Sequence, residues 1–102
     1  MDIELVAMEL VGNAGEARSL AFEALSEAKK RNFEKAEELL KKSKEASLKA
    51  HHIQTELICS EADGNKMEIG LLMVHAQDHL MTSILARELI SEMIELYKEL
   101  EK

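Results

Sequence analysis

The chain has 102 residues, with 13 Lys and Arg against 20 Asp and Glu, a formal charge of -7, no Pro, 4 Gly, one Cys and 3% aromatic residues. That acidic balance, with no basic stripe interleaved with aromatics, argues against nucleic acid and against an anionic lipid surface as partners, and Cys59 on its own forms no intramolecular disulfide. The length fits one domain over 1-102, and the predominance of Ala, Leu, Glu, Lys and Met is that of long helices, so an all-α fold is expected.

Apolar residues at Ile3, Val6, Leu10, Ala14, Ala17, Ala21, Ala24 and Ala28 recur every three or four positions and predict a first helix over about residues 2-30, with Asp2 as N-cap. The opening "MDIELVAMEL" lacks a basic region ahead of its apolar residues, so no secretory signal is evident and a cytoplasmic location is the expectation. Gly12 and Gly15, in "VGNAG", each cost about 1 kcal/mol relative to Ala in a helix interior. Either the helix bends there, or the missing side chains admit another helix or a ligand close to the backbone.

Asn32 is placed to cap a second helix, over about 32-61, whose inward face reads Ala36, Leu39, Leu40, Ser43, Ala46, Ala50, Ile53, Leu57 and Ile58. The run "KKRNFEKAEELLKKSKEASLK" is an exposed, ion-paired surface. Of the adjacent His51 and His52, one is expected to face inward and the other to be solvated. "DGN" at 63-65 ends this helix, and Asn65 with Glu68 resembles a capping box that opens a third helix over about 66-100. Cys59 and the Met residues at 67, 73, 81 and 93 are read as core filling. Short connections imply antiparallel neighbours and an up-down-up three-helix bundle.

The third helix is unusual in having no polar stripe over about five turns. Between Ile69 and Ala86 the only Asp, Glu, Lys or Arg is Asp78. Such a window approaches the minimum of about 18 apolar residues for a membrane span, but His75, Gln77, Asp78, His79, Thr82 and Ser83 break it and no membrane insertion is expected. Leu71, Val74, Asp78, Met81, Leu85 and Leu89 lie near one stripe, and Leu72, His75, His79 and Ser83 near a neighbouring one. If one stripe packs on the first two helices, the other meets a copy of the same chain, which predicts an oligomer without giving its order.

His75, Asp78 and His79 stand at i, i+3 and i+4, on a shared surface. Three chemistries fit. Two His and a carboxylate suit a zinc ion, although the Glu-x-x-His pairs of di-metal bundles are missing. A neutral His can instead be the nucleophile toward a phosphoryl group, with Gln77, Thr82, His79 and His51 as donors nearby or across an interface. The third reading is structural, with the His side chains as satisfied interface groups and Asp78 setting register. Spacing alone leaves the three open.

"VHAQDHLMTSILARELISEMIELY" at 74-97 closely resembles the C-terminal helix of the enzyme IIA component of the lactose/cellobiose/chitobiose class of bacterial sugar phosphotransferase systems. "NAGEARSLAFEALSEAK" at 13-29, "NFEKAEELL" at 32-40 and "AHHIQTELI" at 50-58 resemble its other two helices. The resemblance implies a homotrimer of three-helix subunits that accepts a phosphoryl group from the histidine phosphocarrier protein and passes it to enzyme IIB. It maps the phosphorylated residue onto His75, lining positions onto Gln77 and His79, and a helix 2 His onto His51. It also maps an Asp on the three-fold axis onto Asp78, where a divalent ion, expected to be Mg2+, would be structural. Ala76 matches the cellobiose and diacetylchitobiose members rather than the lactose members, which tend to have Gly there. The alternative is a non-enzymatic helical oligomer binding metal through His75, Asp78 and His79.

Overall fold

The computed structural model describes residues 2-101 and contains three helices, α1 (Ile3–Lys29), α2 (Phe33–Ala62) and α3 (Leu71–Leu100). They form an antiparallel bundle with extents of 54 × 19 × 18 Å. Asp2 caps α1 as predicted, its side chain accepting from the backbone N–H of Glu4 at 3.1 Å and of Leu5 at 3.3 Å. Asn32 precedes α2 but supplies no side-chain cap; its Nδ2 donates instead to Glu27 Oε2 at 3.1 Å.

The ends of α1 and α2 share one device. At the first, Asn32 N–H reaches Glu27 O and Arg31 N–H reaches Ala28 O; at the second, Asn65 N–H reaches Ser60 O and Gly64 N–H reaches Glu61 O. Each is a Schellman closure that needs a left-handed residue just past the helix. Gly64 fills that position at φ 94°, and Arg31 fills the other at φ 67°.

The third helix starts later than predicted. Asn65 is committed to closing α2, Lys66 N–H bonds back to Gly64 O at 3.2 Å, and residues 65-70 form no helix. The chain becomes helical only after Gly70, which is extended at ψ 177° and offers no side-chain cap, so the expected Asn65/Glu68 capping box is not formed.

Helix α1 packs extensively on both others, whereas α2 and α3 meet each other over fewer residues. Its buried face is nearly all alanine, Ala7, Ala14, Ala17, Ala21, Ala24 and Ala28 with Leu10, which lets both neighbours approach closely. Two apolar clusters result. One joins Leu10, Leu57, Met73, Ala76 and Leu80; the other joins Leu39, Ile90 and Ile94 to the C-terminal alanines of α1. Between them, buried Ser43 donates to Ala17 O at 2.6 Å across α1 and α2, and buried Ser83 donates to Leu80 O at 2.8 Å.

Several side chains differ from the sequence reading. The core stripe of α3 is Met73, Ala76, Leu80, Ser83, Ile90 and Ile94, which matches neither predicted stripe as a whole. Leu71, Val74, Met81, Leu85 and Leu89 are each at least half exposed in the single chain. Ile58, Met81, Met93 and Cys59 are exposed rather than core-filling. His51 and His52 are both exposed, because adjacent helical residues diverge by about 100° and the inward direction here is taken by Ala50 and Leu57.

Candidate functional site

His75 lies one turn into α3 and is exposed; His79, one turn further, is half-buried. Because i and i+4 overlie one another on a helix, the two imidazoles stack, with centroids 5.7 Å apart and planes inclined by 22°. His79 also faces α1. Its Nε2 lies 3.5 Å from the point where a Cβ on Gly15 would stand, so part of the "VGNAG" stretch forms one wall of the site. Gly12 faces open space, and α1 runs unbroken through both glycines.

Gln77 lies on the other flank of α3. Its Oε1 accepts from Gln54 Nε2 of α2 at 2.7 Å, and its own Nε2 rests 3.5 Å from Met73 Sδ. A two-residue step turns a helix by about 200°, so within one chain Gln77 and His75 point apart and Gln77 is not brought to the His pair. Gln54, the partner that holds it, was not singled out from the sequence; its only signal was its place four residues after the inward Ala50.

Asp78 is exposed among the outward apolar residues of α3, and its backbone carbonyl accepts from Thr82 Oγ1 at 2.9 Å. No group of three or more His, Cys, Asp and Glu side chains among the described residues is placed to hold a metal ion. The single-chain metal site from His75, Asp78 and His79 is therefore unsupported: His79 turns toward α1 while Asp78 follows the outward stripe. His51 is exposed on α2, its carbonyl accepting from Thr55 Oγ1 at 3.0 Å. His52 pairs with Glu56 at 3.0 Å, on the surface.

The family described as "PTS system, Lactose/Cellobiose specific IIA subunit" matches residues 5–98. The chain belongs to this family. As a IIA chain it is a phosphotransferase component of a sugar phosphotransferase system. It is 50% identical over 99 residues to the N,N'-diacetylchitobiose-specific EIIA component of Escherichia coli (strain K12), covering 97% of this chain and 85% of that relative. It is 43% identical over 98 residues to a lactose-specific EIIA component of Staphylococcus epidermidis, covering 96% and 94%.

Solved structures agree with the IIA fold. The cellobiose-specific enzyme IIA from Bacillus anthracis superposes with a TM-score of 0.96 at 51% identity, covering 99% of this chain and 93% of that one. The IIA(Chitobiose) chain from its complex with HPr, from the Escherichia coli phosphotransferase system, gives 0.87 at 48% identity, covering 100% and 99%. Among the described residues, no helix is long and apolar enough to cross a membrane.

Proposed function

We propose that this IIA chain carries a phosphoryl group on His75, accepted from the histidine phosphocarrier protein HPr and passed to enzyme IIB during uptake of a β-linked disaccharide. The observation that carries the proposal is the exposed His75 ring stacked on a half-buried His79 that faces α1 at Gly15. A ring nitrogen of His75 attacks phosphorus in line, the P–N bond to the donor histidine breaks, and one P–N bond replaces another. His79 donates to a phosphoryl oxygen, so charge is met by fixed hydrogen bonds. Exposed Leu72, one turn before His75 and outside the stripe assigned to the trimer, supplies a docking surface without side-chain charge to repel a phosphorylated donor. HPr is the partner in the related IIA(Chitobiose) complex, and Ala76, with the relatives named above, favours diacetylchitobiose or cellobiose over lactose.

The same reading includes a homotrimer. The exposed stripe of Leu71, Val74, Met81, Leu85 and Leu89 is too apolar and continuous for a solvated helix face, and copies of α3 packed along it bury it. In a cyclic assembly, the His75 edge of one α3 meets the opposite edge of the next, so Gln77 serves as a donor to the His75 of a neighbour. One Asp78 per chain converges near the axis. Three carboxylates suit a hard divalent cation such as Mg2+, which would offset most of their charge and take no part in transfer. The test is incubation with phosphoenolpyruvate and the general phosphotransferase proteins: an acid-labile, base-stable phosphoprotein that discharges to enzyme IIB is expected. A protein that stays unmodified under conditions that load a known IIA contradicts the proposal.

A further inference from the structure

Gly15 is the glycine in the described chain whose missing side chain faces a functional group. A Cβ there would stand 3.5 Å from His79 Nε2, while Cβ positions at Gly12, Gly64 and Gly70 would meet nothing within 4 Å. The fold does not demand glycine at 15. The residue lies inside α1 with no positive φ, the flanking Ala14 and Ala17 are fully buried without strain, and a distance of 3.5 Å is ordinary contact rather than a clash. Alanine, the better helix former, would fit.

What alanine would remove is the free approach to one ring nitrogen. An oxygen hydrogen-bonded to Nε2 sits about 2.7–3.2 Å from it, and a methyl group in contact with that nitrogen takes up room on its α1 side. We propose that Gly15 is a positioning residue of the phosphoryl site: its bare backbone keeps His79 Nε2 open to an oxygen of the phosphoryl group carried on the stacked His75 ring. This rests on the phosphocarrier reading. It also gives the two glycines of "VGNAG" different parts, Gly15 acting through His79 and Gly12 having no part in transfer.

The matched pair Gly15→Ala and Gly12→Ala tests it, since both place a methyl in the same helix. Circular dichroism and melting should show both variants folded and no less stable than wild type. Phosphoryl acceptance should fall about tenfold or more in Gly15→Ala, the value of a lost hydrogen bond to a charged group, and stay within about twofold in Gly12→Ala. Because Gly15 acts through His79, adding Gly15→Ala to His79→Gln should change the rate by less than about twofold. Equal rates in the two single variants, or an undiminished Gly15→Ala effect in the His79→Gln background, would overturn the proposal. A second readout does not depend on transfer: the imidazole nitrogen resonances of His79 in 1H–15N spectra should shift in Gly15→Ala and not in Gly12→Ala. If wild type accepts no phosphoryl group, the phosphocarrier reading fails by itself, while unshifted His79 resonances in Gly15→Ala refute the placement of Gly15.

Discussion

The rings of His75 and His79 lie 5.7 Å apart and stacked, with His75 exposed and His79 half-buried. In the proposed phosphocarrier role, the exposed ring is the one a partner protein reaches and the half-buried ring beside it supports the phosphoryl group. His79→Gln should therefore slow phosphoryl transfer without abolishing it. The loss of one hydrogen bond to a charged group is worth about 1.5 to 3 kcal/mol, roughly ten- to hundredfold in rate. Quenched-flow measurement of phosphoryl acceptance checks the size; complete inactivity of a folded His79→Gln protein would give His79 a larger part than support.

Asp78 is a carboxylate in an otherwise apolar, exposed stripe of α3. In the proposed trimer, Asp78→Leu should leave the chain folded and trimeric and remove the proposed axial cation site. Well-packed apolar replacements of buried charges are often neutral or stabilising, by about 1 to 4 kcal/mol. Sedimentation decides, and a folded but monomeric Asp78→Leu protein would show that the carboxylates and their ion are needed for assembly.

Arg31 holds the left-handed position after α1 at φ 67° and pairs with Glu101 near the end of α3. The backbone conformation costs a non-glycine residue about 1 kcal/mol, and an exposed ion pair returns between about 0 and 1 kcal/mol. Arg31→Gly should be neutral or slightly stabilising, by about 0.5 kcal/mol on the same balance. Urea denaturation measures this, and a clear destabilisation would show that the link between Arg31 and Glu101 outweighs the backbone strain.

Lys98 ties α3 to α2, its Nζ donating to Glu37 Oε1 at 2.6 Å and lying 3.4 Å from Glu95 Oε1. The hydrogen bond to Glu37 raises its pKa above the ordinary 10.5, against a smaller opposing effect of burial. A raised folded-state pKa contributes stability that is fully present below the unfolded value and is lost as pH rises through the folded one. Lys98→Met should cost up to about 1 kcal/mol at neutral pH, and the gap to wild type should narrow above about pH 10.5. A gap that stays constant through that range would assign the effect to packing instead of charge.

The bundle was legible in the sequence because α1 repeats alanine on a single face and "DGN" supplies the glycine that closes α2. The start of α3 was not. Asn65 and Glu68 have cap spacing, yet Asn65 was already used to close the preceding helix, a competition that spacing does not show. The inward stripe of α3 was hidden because apolar residues fall on every side of its first half, and periodicity does not single out a core face where no side is consistently polar. The stacking of His75 on His79 followed from i and i+4. The divergence of Gln77 from His75 follows from the same geometry, about 200° over two residues, but its hydrogen bond with Gln54 depends on which flank meets α2, and that required the packed helices.

Site mapping tests the central claim, that His75 carries the phosphoryl group, most directly. The protein is phosphorylated through HPr and digested under conditions that preserve phosphohistidine, using wild type, His75→Gln, His79→Gln, and variants at His51 and His52. Label is expected on His75 in wild type, to be absent from His75→Gln with helicity unchanged, and to persist at a reduced rate in His79→Gln. Label retained in His75→Gln and missing in His79→Gln, or lost only when His51 or His52 is replaced, would contradict it.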